Sequence, residues 1–218
     1  MNILRISCSP RGPLSESHRL SQKIVDHLRA REPAAQVVER AIGDGSLPHV
    51  DANYAQAQHS ATAEVSSLGA IALSDVLIRE LERADVLVIA TPMHNLGVPS
   101  TLKAWIDHVV RARWTFNVTA QGKVGALRDR PVFIAIASGG RFSGEHARQP
   151  DFLTPYLRLI LGTIGLHDVS FFSMEGTGAG PEAVEAARVH AERALAEHFA
   201  LIARQSGPIE HPRDPGAQ

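Results

Sequence analysis

Hydrophobic positions along the chain fall into two alternating patterns. Apolar runs of strand length, three of them nearly continuous, occupy 2–9 (NILRISCS), 36–42 (QVVERAI), 85–91 (DVLVIAT), 131–138 (PVFIAIAS) and 168–175 (DVSFFSME). Between them, amphipathic stretches at 17–31, 62–83, 99–111, 152–164 and 181–205 are of helical length. The last opens on Pro181 and Glu182, a favourable first turn. Strands that are apolar on both faces belong to parallel sheets covered by helices. Five strands interleaved with five helices therefore predict a doubly wound α/β sheet.

Right-handed crossovers leave few topologies for such a chain, and the favoured one is the flavodoxin-like strand order 2-1-3-4-5 with helices on both faces. Residues 1–205 are expected to form a single domain. The stretch 44–61 (DGSLPHVDANYAQAQHSA) reads as a long loop, and 206–218 (SGPIEHPRDPGAQ), with three prolines, as a disordered tail. No internal repeat is visible.

Composition narrows the function. The chain has 218 residues, within the ~200–250 that one α/β domain can reach. With 22 basic and 23 acidic residues it carries a net charge of −1 and no basic stripe, so a nucleic-acid partner is not expected. No apolar run approaches the ~20 residues needed to span a bilayer, and MNILRISCS lacks the features of a signal peptide. One cysteine, Cys8, permits no intrachain disulfide and fits the reducing cytoplasm.

Open parallel sheets bind ligands at the carboxyl ends of their strands, and three of the loops there are unusual. The first, SPRGPLSESHRLS (9–21), matches neither common nucleotide fingerprint. It offers the hydroxyls of Ser9, Ser15 and Ser17 beside the amides of a helix N-terminus, a setting that favours an anion such as a monophosphate. The same serines also suit helix capping, and this segment alone leaves both readings open. The second, TPMHNLGVPST (91–101), carries two prolines; Asn95 and Gly97 suit a tight bend. Met93, His94 and Leu96 make sense against a flat ligand, although Met93 and Leu96 equally suit the end of a core. The third, ASGGRF (137–142), has consecutive glycines that admit close backbone approach or serve as a turn. A phosphate cradle, an apolar wall and a backbone-lined far side together describe a pocket for FMN.

These segments resemble the FMN-dependent NADH:quinone and azo-compound oxidoreductases, the bacterial azoreductases of the flavodoxin-like superfamily. The resemblance spans about residues 1–203. It is carried by the serine loop, by ALSDVLIRELERADVLVIATPMHNLGVPSTLKAWIDHVVRARWTF, by the SGG after the fourth strand and by TPYLRLILGTIGLHDVSFFSMEG. It implies that Ser9, Ser15, Glu16 and Ser17 hold the FMN phosphate. Met93, His94, Asn95 and Leu96 would line the isoalloxazine, and Ala137, Ser138, Gly139 and Gly140 its far edge. It implies a homodimer with each flavin near the subunit interface. It also implies ping-pong transfer: NADH or NADPH delivers a hydride to flavin N5, and a quinone or azo compound then takes two electrons. His94 and Leu96 stand where members of the family carry Tyr and Phe. His94 is the candidate proton donor, with packing or solvent contact as its simpler role. Trp114 and Phe116 suit either a wall of the substrate face or core and dimer contacts.

Other chemistries fit less well. A thiolate phosphatase needs C-x5-R-[ST], and the arginine position after Cys8 is Leu14; a buried, inert Cys8 is the expectation. The 11 histidines form no H-x-x-x-H pair. A flavodoxin-type electron carrier is the competing class, but a net charge of −1 offers little steering toward redox partners.

Overall fold

The computed structural model describes residues 1–59 and 69–205. A five-stranded parallel sheet has the order β2-β1-β3-β6-β7, built from β1 (Asn2–Ser7), β2 (Gln36–Ala41), β3 (Val86–Pro92), β6 (Val132–Ala137) and β7 (Val169–Met174). Leaving aside a separate hairpin, β4 (Phe116–Thr119) and β5 (Gly122–Gly125), this is the expected order 2-1-3-4-5.

The apolar runs divide their residues between the two faces of the sheet, as alternation along a strand requires. Leu4, Ile6, Leu87, Ile89, Ile134 and Ile136 pack with α3 (Ala70–Arg83), α4 (Ser100–Val109) and α5 (Thr154–Thr163). Ile3, Val86, Val88, Phe133 and Ala135 pack with α1 (Glu16–Arg31) and α6 (Pro181–Gln205). β3 is buried along all but its last residue, whereas the edge strand β2 is largely exposed on its outer side. No helix among the described residues is long and apolar enough to cross a membrane.

Two expectations need correction. The stretch read as a loop over 44–61 contains a helix, α2 (Ala52–His59). Asp51 starts it, accepting the Tyr54 N–H at 2.7 Å, and Tyr54 is buried with its ring edge-on to His108. The β4–β5 hairpin was not anticipated, because its strands are short and mostly exposed. Of the helix expected over 62–83, the described part forms α3 from Ala70 onward; 62–68, the end of the 44–61 stretch at 60–61, and the tail 206–218 lie outside the described residues.

Candidate active site

The three singled-out loops leave neighbouring strands. Ser7 of β1 pairs with Ala90 of β3, and Pro92 of β3 pairs with Ala137 of β6. Strand order reverses at β1, so the loops after β1 and β3 flank the switch point where open α/β sheets take ligands. Thr101 at the start of α4 donates to the Cys8 carbonyl at 3.1 Å, joining the first two loops.

The serine loop is a compact double turn. Gly12 N–H donates to the Ser9 carbonyl at 3.0 Å, and Gly12–Leu14 forms a 3-10 turn. Ser15 then caps α1: its Oγ accepts the His18 N–H at 3.2 Å and donates to the Gly12 carbonyl at 2.8 Å. The capping reading therefore holds for Ser15. Ser17 is fully buried, its Oγ 3.4 Å from that of Ser15, and Ser9 is buried beside them. The Ser9 Oγ accepts the Arg11 N–H at 3.3 Å. Among the described residues nothing accepts from the N–H groups of Glu16 and Ser17, the first-turn donors that a helix leaves open. The Glu16 carboxylate is engaged by Arg188 of α6 at 2.6 and 3.1 Å, and this bond holds it below the usual carboxylate range. What the turn offers an anion is thus main-chain N–H groups and hydroxyls, with the Glu16 charge already paired.

After β3 the chain makes a two-residue hairpin. His94 and Gly97 exchange N–H···O bonds at 3.1 and 3.0 Å, and Asn95 and Leu96 have φ of 47° and 70°, the signature of a type I′ turn. Of Asn95 and Gly97, the residues expected to suit the bend, Asn95 takes a central position, while Leu96 takes the other and Gly97 closes the turn against His94. For leucine this backbone costs ~1–2 kcal/mol, and it is held by the Phe152 N–H, which donates to the Leu96 carbonyl at 3.1 Å. Met93 is buried, Leu96 half-buried, and His94 and Asn95 are exposed.

The glycine loop is strapped from β7. The Ser138 carbonyl accepts from the Thr177 N–H and Oγ1, at 3.1 and 3.0 Å, and the Gly139 and Gly140 carbonyls accept from Gly178 and Gly176, both at 3.1 Å. Beyond them the Glu175 carboxylate accepts Phe142 N–H at 2.7 Å, Ser143 N–H at 3.0 Å, Ser143 Oγ at 2.5 Å and Ser173 Oγ at 2.9 Å. With the carbonyls engaged, the N–H groups of Gly139 and Gly140 donate to nothing among the described residues.

A cavity of about 450 Å³ lies between the second and third loops, lined by Met93, Asn95, Leu96, Ser138, Gly139, Gly140 and Gln149. Six of the expected residues thus meet around one space. His94 and Ala137 each neighbour a lining residue in the chain but do not line the cavity themselves, and the four serine-loop residues sit at the neighbouring strand end. Gln149 is the residue that sequence reasoning missed; no local motif marks it. Phe116 joins the core, while Trp114 is 52% exposed and lies over the Arg111 guanidinium at 4.3 Å. Cys8 is fully buried, as expected, and burial pushes its thiol pKa up despite a hydrogen bond with Thr91. Among the described residues no cluster of His, Cys, Asp and Glu could hold a metal ion.

A family model described as "Flavodoxin-like fold" matches residues 1–199, and the chain belongs to that family. The resemblance drawn from the sequence is borne out by curated relatives. The chain is 47% identical over 194 residues, covering 89% of this chain and 93% of that protein, to the FMN-dependent NADH:quinone oxidoreductase 4 of Pseudomonas fluorescens. It is 43% identical over 187 residues to the FMN-dependent NADH:quinone oxidoreductase 5 of Burkholderia lata, covering 86% and 91%. Among solved structures, an azoreductase from Bacillus anthracis superposes with a TM-score of 0.78 at 23% identity, covering 91% of this chain and 98% of that one. An NADH-azoreductase of the same species, solved in complex with FMN, gives 0.73 at 22% identity, covering 91% and 100%. These structural likenesses support the fold.

Proposed function

We propose that the chain is an FMN-dependent NAD(P)H oxidoreductase that reduces quinones and azo compounds, working in the cytoplasm as a homodimer with a flavin near each subunit interface. The relatives' names support the cofactor and reaction class. The observation that carries the reading is a cavity with Met93 and Leu96 on one side and the glycine loop on the other, at the same carboxyl edge of the parallel sheet as a helix N-terminus rich in hydroxyls. When bound, FMN supplies N5 as hydride acceptor and donor, in a ping-pong sequence between NADH or NADPH and the quinone or azo compound.

The residues present fit that cofactor. The Glu16 and Ser17 N–H groups, with the hydroxyls of Ser9 and Ser17 and that of Ser15 once turned from the Gly12 carbonyl, would hold the phosphate by hydrogen bonds and helix dipole rather than by a cationic side chain. Met93 and Leu96 would give the ring an apolar wall. Asn95 and His94 would lie at its rim, and the N–H groups of Gly139 and Gly140, between Ala137 and Ser138 on one side and the β7 straps on the other, would meet its polar edge. His94, exposed on the turn, is placed to contact solvent or substrate and need not be a required acid.

Ser15→Asp tests the phosphate placement. Aspartate caps a helix as well as serine but cannot donate to the Gly12 carbonyl as Ser15 does, so melting is measured alongside; in the folded variant the new carboxylate repels a dianion, and FMN should be lost. Full retention of FMN would place the phosphate elsewhere. Ser17 does not serve here, because a charge at its fully buried position would perturb folding itself. Sustained NADH oxidation with a quinone acceptor by purified protein separates an oxidoreductase from an electron carrier.

A further inference from the structure

Gln149 lies on no strand or helix and outside the motifs that mark the site, yet it joins both loops that wall the cavity. Its side-chain Nε2 donates to the Ser138 Oγ at 3.2 Å and to the Met93 Sδ at 3.1 Å. The two acceptors follow different strands, β3 and β6, and are themselves only 3.8 Å apart. Both donor hydrogens of the amide are thereby directed, which leaves the carbonyl Oε1 as its open acceptor. That carbonyl passes close over Gly140: a Cβ there would stand 2.2 Å from Oε1 and 2.8 Å from Cδ of Gln149. The second glycine of the SGG run thus makes room for this side chain.

The segment carrying Gln149 is itself fixed. Arg148 and Gln149 N–H groups close back on the Arg141 carbonyl at 2.8 and 3.2 Å, and three bonds to Glu175 anchor its start at Phe142 and Ser143. A half-buried glutamine on an anchored loop thus adds a side-chain tie at the point where the Met93 N–H already donates to the Ala137 carbonyl at 2.9 Å.

We propose that Gln149 is a positioning residue of the flavin site: it holds the Met93 and Ser138 side chains against each other and presents a neutral polar edge to the ring bound beside them. This rests on the FMN reading above. Two consequences follow from the chemistry. Removing the amide frees two hydrogen bonds that fix the walls, and bonds of this kind weigh a factor of about two to ten in an equilibrium constant. Placing a carboxylate there keeps the size, removes the donors and sets a negative charge beside a group that becomes more electron-rich on reduction, which disfavours the reduced form.

The test compares wild type, Gln149→Ala and Gln149→Glu. FMN affinity is read by fluorescence quenching, and the midpoint potential of the bound flavin by equilibration with reference dyes at pH 8. Circular dichroism and melting confirm that each variant is folded, which a half-buried loop position should allow. Expected are a two- to tenfold weaker FMN affinity for Gln149→Ala and a midpoint potential for Gln149→Glu more negative than that of wild type. If Gln149→Ala keeps wild-type affinity and Gln149→Glu keeps the wild-type potential, Gln149 is only a loop residue and the proposal is overturned. If wild type itself does not quench FMN fluorescence, the cofactor reading has failed and this proposal falls with it.

Discussion

Gly43 follows β2 and packs against the serine turn so closely that a methyl group has no room. A Cβ there would stand 2.0 Å from the Ser9 carbonyl oxygen, 2.3 Å from its carbonyl carbon and 2.9 Å from its nitrogen. All three are main-chain atoms, so no rotamer change relieves the overlap; either Gly43 or Ser9 must move. Both are held. The Ile42 and Gly43 N–H groups donate to the Ser7 carbonyl at 2.8 and 3.1 Å, and the Ser9 carbonyl accepts from Gly12 at 3.0 Å. Forcing one extra methyl into a packed interior usually costs ~1–3 kcal/mol, and with backbone as the obstacle Gly43→Ala should fall at ~2–3 kcal/mol. For a chain of this size each kcal/mol shifts the melting temperature by roughly 2–4 °C, so the expected loss is about 4–12 °C.

The relief should come at Ser9, since the turn is exposed beyond it, and that displaces a proposed phosphate ligand. FMN affinity should drop about tenfold or more, equivalent to ~1.4 kcal/mol. Gly45→Ala is the control. Its φ of +78° makes alanine strained, but nothing lies within 4 Å of the added Cβ, so it should lose ~1–2 kcal/mol with FMN affinity unchanged. Thermal melts with and without FMN, together with fluorescence titration of FMN, separate the two variants. If Gly43→Ala melts with Gly45→Ala and binds FMN as wild type does, then the β2 end does not brace the serine turn and the steric reasoning is wrong.

Three further outcomes are expected. His94→Ala should lower quinone turnover less than tenfold with FMN still bound, since the side chain is exposed and does not line the cavity; a thousandfold loss would make His94 a general acid. Cys8 should resist disulfide-exchange reagents in the native protein and react stoichiometrically in urea, because burial keeps the thiol protonated; rapid native labelling would contradict that. Burial alone would raise the Glu175 pKa, but hydrogen bonds from Ser143, Phe142 and Ser173 outweigh it and hold the carboxyl below its ordinary value. A depressed folded-state pKa means the stability it contributes is present above the ordinary glutamate value of about 4.3 and is lost as pH falls through the folded value. The gap in melting temperature between wild type and Glu175→Gln should therefore be widest at about pH 5 and above and close below about pH 4; a gap independent of pH would mean that the charge is not what holds the glycine loop.

What the sequence disclosed and what it concealed divide along a physical line. β1, β3 and β6 announce themselves because burial on both faces requires an uninterrupted apolar run, and that requirement is written locally. The serine turn was legible for the same reason: capping and anion binding both draw on short-range residue types, and Ser15 does cap α1. Where the deciding contact is distant, local pattern says little. The hairpin strands FNVT and GKVG leave Val118 and Val124 exposed, yet the hairpin is fixed because Gly125 runs against the backbone of Ile164 and Gly165, where a Cβ would stand 2.2–2.6 Å from main-chain atoms. Leu96 takes a backbone that Gly97 would have adopted without strain, and the reason, a hydrogen bond from Phe152, lies 56 residues downstream. Gln149 is the extreme case. Its role depends on Met93 and Ser138, which follow the neighbouring strands β3 and β6 and lie 45 residues apart in the chain. A site assembled at a strand-order reversal is bound to hide some of its parts in this way: the strands bring the walls together, and the side chain that joins the walls can come from any loop long enough to reach them.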